Sequence, residues 1–297
     1  MKQIIFFVLI TLAFISCDMN RKAETRTHNP ATTKSGSLIF SSGYSDVNGL
    51  KMYYEIYGEG KPLVLIHGGG STIQTTFGRI IPILAKRRKL IAVELQAHGR
   101  TNDRENELSF EQDADDVATL LKNLAIPKAD FFGFSNGGTT ALQIAIRHPE
   151  LVDKMIAASA LCKRNGVPSW FWGFMEQARL ENMPEQLKEA YRQVAPDTTG
   201  LQAMHDKDAQ RMINFKDIPD EKIKAIQTPT LIVIGDKDVI TPEHAIEMNR
   251  LIANSQLAII PGGHGEYIGE ITTLNPDTKE SDFIIPMIER FLDKKEE

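Results

Sequence analysis

Apolar residues along this chain gather in short runs, unbroken at 62–66, 90–93 and 155–158 and led by one polar residue at 130–134, 230–234 and 256–260. A strand with one wet face alternates polar and apolar residues, so an unbroken run predicts a strand covered on both faces. The segment 50–57 alternates instead and predicts a strand entered through a turn at Val47, Asn48 and Gly49. Helical patterns fill the gaps: a stretch reaching to about Arg87, a helix from a capping box at Ser109 and Gln112 through Leu124, and another carrying Ala141, Leu142, Ile144 and Ala145. Thr241 followed by Pro242 opens a further helix, and 281–294 closes the chain with one. Buried strands alternating with helices predict an α/β fold, a mostly parallel twisted sheet covered by helices on both faces.

Between 163 and 224 that rhythm stops. The stretch is rich in Met, Gln, Glu, Arg and aromatics and holds both tryptophans of the chain, Trp170 and Trp172, beside Phe171 and Phe174. It predicts an inserted helical cap, with 38–162 and 225–297 forming the core. Trp170, Phe171, Trp172 and Phe174 are candidate substrate-pocket residues, because a cap over a site must present an apolar face to something.

Composition narrows the classes of function. The 297 residues, 42% of them hydrophobic, suffice for one large core with an insertion. A formal net charge of −5 gives no electrostatic case for nucleic acid. Two cysteines, Cys17 and Cys162, are too few for a disulfide framework. No His/Cys spacing suggests a metal site, and no Gly-rich phosphate loop with a Lys suggests a nucleotide; no cofactor is expected.

The N-terminus reads as a processing segment. Lys2 is followed by an apolar stretch at 4–15, too short to span a bilayer as an ordinary helix, and then by Ser16 and Cys17. A small residue before a cysteine resembles the lipobox of bacterial lipoproteins, with Phe14 where Leu is usual. The resemblance implies a signal peptide over 1–17, lipidation of Cys17, and export to a membrane facing the periplasm or cell exterior. Polar residues over 18–37 read as a flexible tether.

The chemistry centres on Gly133-Phe134-Ser135-Asn136-Gly137, where a strand-like run turns straight into a helical pattern. A serine on so sharp a turn needs very small residues two positions to either side, and Gly133 and Gly137 supply them. The loops after two later strands carry Asp236 and Asp238, then His264. Ligand chemistry in open α/β sheets gathers at those strand ends.

The order Ser, acid, His, with the serine on a strand-to-helix elbow, resembles the α/β-hydrolase superfamily over about 38–296. His67-Gly68-Gly69-Gly70 stands in the position of the oxyanion loop. The stretch 94–101 is similar to the family's Asp-x-x-Gly-x-Gly-x-Ser turn, with Glu94, Ala97 and Thr101 as departures. The resemblance implies a catalytic triad of Ser135, His264 and an acid. The acid is Asp238 by the family's Gly-x-x-Asp pattern, with Asp236 the alternative. Asn136 and one of Gly69 or Gly70 would supply oxyanion N–H groups. A small-molecule acyl substrate, a carboxylic ester first, is the implied partner. Acyl transfer or carbon–carbon bond hydrolysis by the same triad, and a non-catalytic ligand-binding lipoprotein, are the alternatives. His67 and His98 are expected to brace turns, His148 and His244 to sit at helix ends, and His205, in the insertion, to lie on the surface, with an approach to the pocket as the alternative.

Overall fold

The computed structural model describes residue 38, residues 40–274 and residues 281–295. The signal segment, Cys17 and the 18–37 tether lie outside the described residues. Eight strands form one sheet: β1 (Phe40–Val47), β2 (Leu50–Tyr57), β3 (Lys61–Ile66), β4 (Arg88–Val93), β5 (Ala129–Phe134), β6 (Val152–Ala158), β7 (Thr230–Gly235) and β8 (Ser255–Ile260). Their spatial order is β1-β2-β4-β3-β5-β6-β7-β8. The first two strands run antiparallel to their neighbours, and from β4 to β8 every pairing is parallel.

Burial follows the apolar runs in β3 to β7, but β8, at the other edge of the sheet, buries only Ile260 and leaves Ile259 43% exposed, so it is not covered on both faces. In β3, Val64 and Ile66 join the core layer on one face while Leu63 and Leu65 join the layer on the other. Ile91 and Val93 of β4 divide from Leu90 and Ala92 in the same way. A period of two with apolar residues at every position is what a doubly covered sheet requires.

The helices are α1 (Ile73–Phe77), α2 (Ile81–Leu84), α3 (Phe110–Asn123), α4 (Asn136–Arg147), α5 (Trp170–Glu176), α6 (Glu185–Val194), α7 (Gly200–Ile213), α8 (Asp220–Lys224), α9 (Pro242–Leu251) and α10 (Ser281–Asp293). The helical stretch expected up to Arg87 is two short helices. Pro82 sits in the first turn of the second, where its missing N–H has no helical acceptor to lose. At the start of α3 only half of the expected capping box forms. Ser109 accepts from the Gln112 N–H at 3.1 Å, but the Gln112 side chain turns forward to Asp116 at 2.9 Å.

Strand β1 had no signal in the hydrophobic pattern, because its residues are mostly polar and exposed at the sheet edge. Its hairpin partner does carry one. Asn48 and Gly49 join β1 to β2 with φ of 47° and 81°, the left-handed pair of a two-residue hairpin turn.

Helices α5–α8 and two single turns of 3-10 helix fill the stretch 163–224. Its two ends pack into the main core: Val167, Ile218 and Ile223 share a cluster with Leu142 and Met248. The Ile218 N–H donates to the Cys162 carbonyl at 2.8 Å. The central part has a small core of its own, in which Tyr191, Leu201 and Met204 meet Ala97 of the main domain.

Candidate active site

The loops that leave the carboxyl ends of β3, β5, β6, β7 and β8 converge on one cavity. Ser135 occupies the turn between β5 and α4 with φ 54° and ψ −121°, a left-handed conformation that a residue with a side chain rarely adopts. The turn is held by the Ser135 N–H on the Ala158 carbonyl at 2.9 Å and the Gly138 N–H on the Ser135 carbonyl at 2.8 Å. The flanking glycines are required by close approach. A Cβ at 133 would lie 2.0 Å from the Gly137 carbonyl oxygen, and one at 137 would lie 2.1 Å from that of Ile66.

Ser135 Oγ lies 3.0 Å from His264 Nε2, and His264 Nδ1 lies 2.7 Å from Asp238 Oδ1. With a carboxylate on that side, Nδ1 carries the proton and donates it, leaving Nε2 to accept from the serine hydroxyl. Of the two candidate acids, Asp238 reaches the imidazole. Asp236 points to solvent and accepts the Gly262 N–H at 2.8 Å, tying the β7 loop to the β8 loop.

Asp238 has two more donors. The Ile240 N–H reaches Oδ1 at 3.0 Å and the Ser159 hydroxyl reaches Oδ2 at 2.5 Å. Ser159 Oγ also lies 2.7 Å from the hydroxyl of Tyr267, a fully buried side chain. Burial alone would raise the Asp238 carboxyl, but His264 and the Ser159 hydroxyl outweigh it and hold it below the usual carboxylate range. Burial likewise pulls His264 down, and the Asp238 carboxylate more than reverses this, leaving the imidazole above its ordinary value of 6.5.

The oxyanion expectation divides. Among the described residues, the N–H groups of Gly69 and Asn136 have no hydrogen-bond partner within the protein. The Gly70 N–H is taken, at 2.6 Å, by the carboxylate of Asp208 on α7. Gly70 lines the cavity but has no free donor to offer it.

The cavity holds about 330 Å³ beside Ser135 and His264. Phe171 and Phe174 line it, as the sequence suggested, together with Met175, Met183, Leu187 and Met212. The two tryptophans do not. Trp170 is 61% exposed on the outer side of the cap. Trp172 turns into the main domain, stacks on Phe215 at 6.1 Å, and donates its indole N–H to the Arg164 carbonyl at 3.0 Å. A seven-residue helix cannot send 170, 171, 172 and 174 to one side, so the cluster divides around α5.

Among the described residues, the histidines other than His264 also have places. His67 accepts the Leu95 N–H at 3.1 Å and reaches the Gly68 carbonyl at 2.7 Å, while His98 joins the Gly70 N–H to the Gln96 carbonyl. His148 caps the end of α4 and His244 lies buried in the first turn of α9. His205 lines the cavity rather than the outer surface, because α7 turns that edge inward.

Sequence reasoning missed Ser159 and Asp208. Ser159 directly follows a parallel strand, as Ser135 does, and that position was its signal. Asp208 falls on the stripe of Leu201, Met204 and Met212, the buried face of α7. A carboxylate on an apolar stripe marks a buried polar contact.

Among the described residues no helix is long and apolar enough to cross a membrane, and no group of three metal-ligating side chains occurs. Comparison with known proteins places the geometry in context. A family model described as the alpha/beta hydrolase fold matches residues 61–205. Serine hydrolase BPHL of Homo sapiens is 28% identical over 260 residues, covering 78% of this chain and 84% of its own length. A pimeloyl-[acyl-carrier protein] methyl ester esterase of Nitrosospira multiformis is 26% identical over 239 residues, 71% of this chain and 90% of its own. Among solved structures, a meta-cleavage product hydrolase of Pseudomonas fluorescens superposes with a TM-score of 0.70 at 26% identity, covering 84% of this chain and 97% of the other. With its eight-stranded, mostly parallel sheet and these matches, the chain has the α/β-hydrolase fold and is similar to hydrolases of that superfamily.

Proposed function

We propose that this protein is a serine hydrolase that cleaves a carboxylic ester through a covalent acyl-enzyme, with Ser135, His264 and Asp238 as its triad. The observation that carries the reading is the unbroken path from Asp238 through His264 to Ser135 Oγ, opening on an apolar cavity. Serine is a weak nucleophile at neutral pH and needs a base within hydrogen-bond reach, itself oriented by an acid. Ser135 Oγ attacks the carbonyl carbon as its proton passes to His264 Nε2. The resulting oxyanion receives the N–H groups of Gly69 and Asn136, each worth about 3 kcal/mol of barrier. Collapse expels the alcohol, which leaves with the proton from His264. Water then attacks the acyl-enzyme, gives its proton to His264, and releases the acid as Ser135 recovers it.

An ester is favoured because the cavity beside Ser135 is walled by Phe, Met and Leu side chains, which suit an uncharged acyl chain. The likeness to an esterase of Nitrosospira multiformis supports the same choice. Carbon–carbon bond hydrolysis by the same residues is the second reading, favoured by the likeness to a meta-cleavage product hydrolase. The test is intact-mass analysis after treatment with a fluorophosphonate, beside turnover of p-nitrophenyl esters and of a β-diketone. One adduct on the wild type, absent from Ser135→Ala and His264→Ala, with ester turnover, is the expected outcome. No adduct on the folded wild type removes the reading in favour of a ligand-binding protein. Turnover of the diketone alone moves the function to the second reading.

We also propose that the mature protein is membrane-held through a lipid on Cys17, supported by the Ser16-Cys17 pair after an apolar stretch. Incorporation of labelled palmitate that Cys17→Ser abolishes is the expected result; labelling unchanged in the variant rejects it.

A further inference from the structure

Asp208 is a charged side chain facing a mainly apolar cavity, and the chemistry proposed for Ser135 and His264 does not use it. Its partners explain its place. Oδ2 accepts the Gly70 N–H at 2.6 Å, and Oδ1 accepts from the Asn136 side-chain amide at 3.3 Å. Arg211, one turn along α7, pairs with the same carboxylate and reaches back to Asp113 of α3 at 2.7 Å. Asp113 and Arg211 are buried, and the guanidinium lies over the Phe110 ring at 4.8 Å.

The two segments that meet on Asp208 carry the two free oxyanion donors. Gly69 belongs to the loop that Gly70 anchors, and Asn136 supplies the other N–H from the start of α4. Packing there is tight. A Cβ at 69 would lie 2.5 Å from the Asn136 amide nitrogen and 2.6 Å from Asp208 Oδ2. Burial would raise the Asp208 carboxyl, but Arg211, His98 and the Gly70 N–H outweigh it and hold it well below the usual carboxylate range, so it stays ionised. Arg211 offsets a charge that would otherwise repel an oxyanion.

We infer that Asp208 is a positioning residue for the oxyanion site, fixing the Gly69–Gly70 loop against Asn136 so that both free N–H groups face the reacting carbonyl. The Asp113–Arg211 pair fastens α7 to the core, so the oxyanion site is complete when that helix is docked. This rests on the serine-hydrolase reading. A donor displaced by about 1 Å costs on the order of a hundredfold in rate.

The test compares wild type, Asp208→Ala and Asp208→Asn on p-nitrophenyl butyrate. It adds two inhibitors: a trifluoromethyl ketone, which forms a tetrahedral adduct with the serine, and an ether of the same shape, which cannot. For Asp208→Ala, kcat should fall about a hundredfold with KM within about twofold. Affinity for the trifluoromethyl ketone should fall by the same factor as kcat/KM, while the ether binds as before. Asp208→Asn keeps a carbonyl acceptor for the Gly70 N–H and should recover part of the loss. It also carries the test if the alanine variant does not fold. Wild-type kcat in both variants overturns the inference. So does a rise in KM with both inhibitors weakened alike, which marks a role in holding the cap. An active wild type with indifferent variants removes this inference alone, whereas a wild type without turnover or fluorophosphonate adduct removes the hydrolase reading and this one with it.

Discussion

Asp238 Oδ1 lies 2.7 Å from His264 Nδ1, while Asp236, two residues earlier on the same loop, accepts a backbone N–H from Gly262. The two carboxylates therefore have separable tasks. Asp238→Asn presents an amide that can leave the imidazole in the wrong tautomer, and kcat should fall by about 10³ to 10⁴ with folding intact. Asp236→Asn retains an acceptor for Gly262 and should keep turnover within about threefold of wild type. Steady-state kinetics on both variants checks this, and the reverse ranking would move the acid to Asp236.

On the proposed mechanism the same carboxylate should set the pH profile. His264 must be neutral to act as a base, so kcat/KM rises with pH as the imidazole loses its proton. Asp238 holds the imidazole above 6.5 against the downward pull of burial, so the acid limb should have its midpoint above that value. In Asp238→Asn the counter-charge is gone, and the residual activity should show its limb at lower pH. A limb that stays in place would mean that Asp238 does not set the charge of His264.

Acid stability depends on two other histidines. Burial pushes His67 down to about 3, with neighbouring His98 adding to the effect, and pushes His244 down to about 4. Both are neutral in the folded protein at pH 6, while in the unfolded chain they take up protons below about 6.5. The unfolded state thus binds more protons between about pH 6.5 and 4, and stability must fall as pH drops through that window. His244→Gln, whose side-chain oxygen can accept the Cys162 N–H now held by Nε2 at 3.1 Å, should remove about one proton from that slope. Thermal midpoints between pH 7 and 4.5 check this, and equal slopes in variant and wild type would reject it.

What could be seen in the sequence follows how local the cause is. The doubly buried strands show because every position in Leu63–Ile66 is apolar, and the elbow shows because close approach forces Gly133 and Gly137. The edge strand β1 was silent, since its hydrogen bonds are backbone to backbone and its side chains face water. Departures from the family turn at 94–101 were visible but not their consequences. Ala97 takes φ 65° where the family has glycine, and buried Glu94 accepts the Arg100 N–H at 2.6 Å. The choice of Asp238 over Asp236 was carried by the Gly-x-x-Asp pattern at 235–238. The removal of Gly70 as a donor and the division of the Trp/Phe cluster instead depend on which side chains meet across more than twenty residues. No local pattern carries that. Asp208 lies 138 residues from Gly70, and only the docking of α7 joins them.

The division of the aromatic cluster makes a prediction about acyl preference. Phe174 lines the cavity and also stands at its rim, being 54% exposed, whereas Trp170 faces away. Removing the Phe174 ring widens the cavity beside the acyl chain, so Phe174→Ala should move the optimum for p-nitrophenyl esters to longer acids. Short-chain kcat/KM should fall by about five- to tenfold through lost contact area. Trp170 does not line the cavity and meets its wall only from behind, edge-on to Phe171 and Phe174 at 6.3 and 6.5 Å, so Trp170→Ala should shift the chain-length profile much less than Phe174→Ala. The comparison is internal, since both residues lie on α5 and both substitutions remove a large ring from it. If the two variants shift the profile equally, cap stability rather than wall shape sets the preference. If only Trp170→Ala shifts it, substrate enters across the outer face of α5.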